Sequence, residues 1–128
     1  MNIAQAYPAA AGLKSLQRQV KMTKNQGVRV DDHYVVAAPA AGITQSFMSV
    51  CEIDIATAGK IVFKLPNQRT VFLDYDAALW DAKKEKMELS SPEDQGLKHS
   101  WDGKSIWRIL LTNKTPLTDK TTAYIIHR

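Results

Sequence analysis

Residues 16–36 decide the fold: Leu16-Gln17-Arg18-Gln19-Val20-Lys21-Met22-Thr23, then Lys24-Asn25-Gln26-Gly27, then Val28-Arg29-Val30-Asp31-Asp32-His33-Tyr34-Val35-Val36. Leu16, Val20 and Met22 share one face of an extended chain, while Gln17, Gln19 and Lys21 share the other, the alternation of a half-buried strand. Asn25-Gln26-Gly27 offers a left-handed position at Gly27 and so a turn. Val28, Val30, Tyr34 and Val36 then line one face of a second run. A three-residue loop predicts a hairpin that pairs Met22 with Val30 and Val20 with Asp32, with both apolar faces on the same side. That side also carries Arg18 and Asp32. An unpaired charge on an inward face costs several kcal/mol, so an Arg18–Asp32 ion pair is expected.

Outward from the hairpin, strand signals continue. Tyr7 and the following Pro8-Ala9-Ala10-Ala11-Gly12 predict an extended or turning lead-in, with Tyr7 packed in the core. Residues 39–42 break the chain. Residues 46–55 form one β-rich run with Phe47, Cys51, Ile53 and Ile55 on one face. Turns at Thr57-Ala58-Gly59 and Pro66-Asn67-Gln68 bound a short strand over 60–65, and 70–75 is a strand with Val71, Leu73 and Tyr75 on one face. Residues 77–89 are rich in helix formers but also fit a polar edge strand after about residue 82 with Met87 and Leu89 inward; strand is the expectation. Residues 90–104 read as a polar loop, 106–112 as a strand, 113–120 as a loop and 121–127 as a final strand. About seven or eight short strands separated by turn signals predict a single all-β domain over residues 1–128, an antiparallel β-sandwich.

Composition limits the functions. The chain has 128 residues, 45% of them hydrophobic, and a net charge of +4 from 17 basic and 13 acidic residues. Only Lys83, Lys84 and Lys86 cluster, and no aromatic residues interleave with focused basic charge, so nucleic acid is not an expected partner. No run approaches the ~18 apolar residues that cross a bilayer, and the first residues lack the basic-then-apolar pattern of a signal peptide; no membrane partner is expected. The lone Cys51 permits no intrachain disulfide and reads as a small hydrophobe.

Chemistry-bearing constellations are scarce. His33, His99 and His127 stand at no metal-ligand spacing. Asp54, Asp74, Asp76 and Asp81 fall at turns and strand ends and read as solvated residues. There is no phosphate-binding glycine loop and no nucleophile elbow. No catalytic, cofactor-binding or metal-binding residue is therefore assigned, and no cofactor is expected. Three side chains remain as candidate glycan contacts: Trp80 and Trp101, placed at strand ends or in loops where a ring can stack on a sugar, and His99 in the loop before Trp101. Trp107, inside Ser105-Ile106-Trp107-Arg108-Ile109, reads as packed.

A family resemblance emerges from several stretches taken in order. Ala6-Tyr7-Pro8-Ala9-Ala10-Ala11-Gly12-Leu13, Arg18-Gln19-Val20-Lys21-Met22, Gly27-Val28-Arg29-Val30-Asp31-Asp32, Gly59-Lys60-Ile61-Val62, Leu73-Asp74-Tyr75-Asp76 and Leu97-Lys98-His99-Ser100-Trp101-Asp102-Gly103-Lys104-Ser105-Ile106-Trp107-Arg108-Ile109 together resemble the C-terminal β-sheet region of heparinase II/III-like polysaccharide lyases. The last resembles the family's tryptophan-glycine loop leading into an aromatic-Arg-Ile strand. The resemblance implies a parent with an α/α toroid followed by stacked β-sheet domains, exported to the periplasm or secreted, that cleaves uronate-containing polysaccharides by β-elimination. In that family a toroid tyrosine, with histidines and an asparagine or arginine from elsewhere, performs the proton transfers, and some members hold a structural zinc in an earlier β-sheet domain. No position here matches those motifs, so none of those roles is carried over. The expected partners are the remaining domains of such a parent and, through them, an acidic polysaccharide. Two other readings stand beside it: a free-standing carbohydrate-binding module for acidic glycans, and an unrelated small β protein that binds another protein.

Overall fold

The computed structural model describes residues 2–40, 42–101 and 104–128. Met1, Ala41, Asp102 and Gly103, which belong to the expected N-terminal segment, the 39–42 break and the tryptophan-glycine loop, lie outside the described residues.

Two antiparallel sheets form the domain. The larger contains β1 (Leu13–Thr23), β2 (Gly27–Ala40), β9 (Leu117–His127), β6 (Thr70–Tyr75), β5 (Lys60–Lys64) and β4 (Glu52–Asp54), in that order across the sheet. The smaller contains β3 (Thr44–Ser49), β8 (Trp107–Asn113) and β7 (Trp80–Lys86). The all-β sandwich-like architecture is thus as expected. Between the sheets lie Val30, Ile53, Ile61, Leu73 and Tyr124 from the larger one and Trp80, Ile109 and Leu111 from the smaller, all buried. Ala4, Leu16 and Tyr34 make a satellite cluster where the N-terminal segment folds over β1 and β2.

The hairpin register differs from the expected one. β1 pairs with β2 as Met22↔Val28, Val20↔Val30 and Arg18↔Asp32, with Thr23↔Gly27 closing the loop. The pairing is shifted by two residues, and because side chains alternate with a period of two the same residues still face inward. Gly27 has φ +106°, and Asn25 also sits at positive φ, +64°. A Cβ at Gly27 would lie 2.1 Å from the Ile126 carbonyl oxygen of β9. Gly27→Ala therefore meets both an unfavourable φ and a backbone clash, and is expected to cost more than about 1 kcal/mol. Urea unfolding reads this directly; an unchanged midpoint would mean that the β2–β9 contact is looser than described.

Other boundaries also moved, for identifiable reasons. The 46–55 run is two strands in two sheets: β3 ends at Ser49, the chain bends at Val50 and Cys51, and β4 begins at Glu52. The Ser49 hydroxyl accepts the Cys51 N–H at 3.0 Å across this corner, and Cys51 is half-buried. Residues 80–86 are strand, since β7 pairs along β8 from Trp80↔Asn113 to Lys86↔Trp107. The 90–104 loop contains a helix, α1 (Asp94–Ser100), that buries none of its residues. Asp94 in its first turn and Lys98 and His99 in its last turn complement the helix dipole. β9 starts at Leu117, inside the expected loop, because Asp119 and Lys120 pair with Val35 and Tyr34. β2 runs through Pro39 to Ala40, and its register against β9 jumps between Val35 and Ala40; proline is tolerated at such an irregularity.

Candidate functional site

Three strands cannot cover six. The core between the sheets draws on β2, β9, β6, β5 and β4 of the larger one, and the inner face of β1 is left open toward its hairpin end: Val20 is 60% and Met22 80% exposed. Further along β1, between the main core and the satellite cluster, a groove of about 810 Å³ opens between β1 and β2 on one side and β3 on the other. Leu16, Phe47 and Tyr124 contribute its apolar walls, and Arg18, Tyr34 and Gln45 contribute polar groups.

Beneath the groove lies a buried polar network centred on Asp32, which is fully buried. Arg18 faces it directly across the β1–β2 ladder and donates Nε to Oδ1 at 2.7 Å and Nη2 to Oδ2 at 2.6 Å. This bidentate geometry is the strong form of a carboxylate–guanidinium contact. The Tyr34 hydroxyl donates to Asp32 Oδ2 at 3.3 Å, and Gln45 Nε2 donates to the Tyr34 oxygen at 2.6 Å and to Asp32 Oδ2 at 3.3 Å. Four donor contacts thus compensate one buried carboxylate. Tyr34 follows Asp32 by two residues and so shares its face. Gln45 comes from the opposite sheet, a contact for which local sequence carries no signal.

Burial pushes the Tyr34 hydroxyl well above its ordinary pKa, against the opposing effect of the Gln45 hydrogen bond. Burial likewise raises the Tyr124 hydroxyl. Hydrogen bonding to Asp32 raises Arg18, which stays cationic. Both tyrosines are therefore neutral at physiological pH, and Tyr34 donates its proton to Asp32. The folded values exceed the unfolded one, so the associated stability is complete below about pH 10 and is lost as pH rises through the folded values. Urea midpoints are expected to hold steady across neutral pH and to fall above about pH 10, with a shallower fall in Tyr34→Phe. An equal alkaline fall in the variant would remove Tyr34 as a cause.

The candidate glycan contacts are not brought together. Trp80 is 2% exposed and packs in the main core; its even position on β7 turns the ring inward toward the larger sheet, so it is corrected from a glycan contact to a core residue. His99 is exposed in the last turn of α1 and Trp101, 37% exposed, caps that helix; neither lines the groove. Tyr7, expected in the core, is 49% exposed and sits at the groove's lip. Trp107 is half-buried with Lys84 Nζ 5.6 Å from its ring centre.

The remaining acidic and histidine residues make local contacts. Asp54 and Asp76 accept backbone N–H groups of Ala56 and Ala78, each at 2.8 Å, as turn residues do. His33 Nε2 lies 2.7 Å from Asp119, and His127 Nε2 lies 2.7 Å from Asp74. Among the described residues no group of three or more His, Cys, Asp or Glu is arranged to hold a metal ion, and no helix is long and apolar enough to cross a membrane.

No protein-family model and no curated protein matches the chain.

Proposed function

We propose that the chain is the non-catalytic C-terminal β-sandwich of a heparinase II/III-like polysaccharide lyase, whose parent cleaves uronate-containing polysaccharides by β-elimination in the periplasm or outside the cell. The observation that carries the reading is the incomplete cover of the larger sheet. Val20 and Met22, 60% and 80% exposed, lie on its inward face, where a neighbouring domain of the parent would bury them. Solvent-exposed apolar side chains at the uncovered end of a sheet are expected of a domain that works against a partner.

The chemistry of the groove supports a positioning role over catalysis. β-Elimination needs a group that takes the proton next to a carboxylate. Tyr34 and Tyr124 hold their protons more tightly than ordinary tyrosines, and Arg18 is engaged with Asp32. The module reading needs exposed rings set together, and burial of Trp80 removes one member of its pair. The reading as an unrelated small β protein calls for a closed sandwich, which the open face of β1 does not favour.

Incubation of the chain with heparin, heparan sulfate and alginate, followed by the ultraviolet absorbance of unsaturated uronate, tests the proposal. A flat trace is expected. A rising one that scales with protein and vanishes in Arg18→Met would mean that the groove itself is catalytic.

A further inference from the structure

We infer that the outer edge of β1 accepts an acidic, extended polypeptide segment as an added strand of the larger sheet. The inference deepens the docking reading above and rests on it for the source of that segment, which would be another part of the parent lyase.

β1 is an edge strand, paired on one side with β2. Its other side is already used for strand addition at one place. Ile3 donates its N–H to the Leu16 carbonyl at 2.9 Å, Asn2 bridges Gln17, and Asn2 Oδ1 accepts the Leu16 N–H at 3.3 Å. The Leu16 main-chain groups therefore point away from β2. In an antiparallel ladder the direction alternates residue by residue, so Val20 and Met22 turn their N–H and C=O groups to the same outer edge. Among the described residues no strand pairs with them there.

Side chains specify the occupant. From Leu13 to Lys24 the chain carries Lys14, Arg18, Lys21 and Lys24 and no acidic residue. Arg18 is engaged by Asp32. Lys14, Lys21 and Lys24 have no carboxylate within ion-pair distance among the described residues. Lys21 stands directly opposite Arg29 on β2, whose guanidinium is already engaged by Asp31, so the Lys21 ammonium is left for a carboxylate from outside the sheet. Val20 and Met22 offer apolar contacts on the inner face and Lys21 a cation on the outer face. The complementary strand alternates apolar and acidic residues. A second copy of β1 fits poorly, since it would bring lysines against lysines, which is how edge strands avoid self-pairing.

The probe is a terminally blocked synthetic peptide of alternating Glu and Val, with a Lys/Val peptide as its counterpart. Calorimetry gives the affinities, and amide hydrogen exchange gives the site. The Glu/Val peptide is expected to bind, to slow exchange at Val20 and Met22, and to bind about tenfold or more tighter than the Lys/Val peptide. Val20→Pro removes an outward N–H that serves no internal ladder bond, a tolerated edge substitution, and is expected to lower affinity about tenfold at unchanged fold. Should that variant unfold, Lys21→Glu with Lys24→Glu, both at exposed positions, is expected to reverse the peptide preference. No binding, equal affinity for the two peptides, protection elsewhere than β1, or self-association of the free chain through β1 would each overturn the inference. None of these outcomes bears on the lyase assay, so the edge can fail while the family reading stands.

Discussion

Arg18→Met is expected to destabilise the domain by about 3 kcal/mol at neutral pH. The substitution keeps much of the side chain's apolar length and removes the cation, leaving the Asp32 carboxylate fully buried with only the neutral donors of Tyr34 and Gln45. Breaking one partner of a buried pair costs about 3–5 kcal/mol. The lower end applies because the Arg18 side chain is 33% exposed and solvent screens part of the interaction. The double variant Arg18→Met/Asp32→Leu removes the stranded charge and is expected to recover most of the loss, since an apolar replacement of a buried pair is often neutral or better. Urea unfolding of the two single variants and the double one measures the coupling. A single variant within about 1 kcal/mol of the parent chain would show that water reaches Asp32.

Trp80→Ala is expected to cost about 3–5 kcal/mol, the range for removing a large aromatic side chain from a core. Trp80 is 2% exposed and belongs to the main cluster with Ile109, Leu111 and Leu79. In a small domain whose total stability is about 5–15 kcal/mol, that loss is a large fraction of the whole. Trp101→Ala, at the exposed end of α1, is expected to change stability by about 0.5 kcal/mol or less. The pair separates a core role from a ligand role: thermal unfolding should distinguish them sharply, whereas two small and equal effects would return Trp80 to the surface.

The parts of the fold that were legible in sequence are those written in period-two alternation. The inward set of Leu16, Arg18, Val20 and Met22 against Val28, Val30, Asp32, Tyr34 and Val36 could be read before any pairing was known. A register error of two residues did not disturb it. The Arg18–Asp32 contact was legible for the same reason, because an inward charge needs a partner and each was the other's nearest choice. The corner at Val50 and Cys51 was hidden because Phe47, Ile53 and Ile55 keep the same odd parity on both sides of the bend, although they serve different sheets. α1 was hidden because a helix that buries nothing has no apolar periodicity to show. The start of β9 was hidden because Thr118, Asp119 and Lys120 carry the composition of a turn, and only pairing with β2 makes them strand. Trp80 was misplaced when β7 was expected to begin near residue 82, beyond the tryptophan itself. The groove joins residues from the lead-in, both hairpin strands, β3 and β9, so its existence depends on how far the smaller sheet overlaps the larger, which no local pattern encodes.

The size of the polypeptide that carries this domain in its native source is the most direct test of the proposed function. An antibody raised against the folded chain, used on fractions of the source organism, should detect a polypeptide several times heavier than this chain. The immunoprecipitate should release unsaturated uronate from an acidic polysaccharide. A single species of the chain's own mass, with no such activity in the precipitate, would contradict the account.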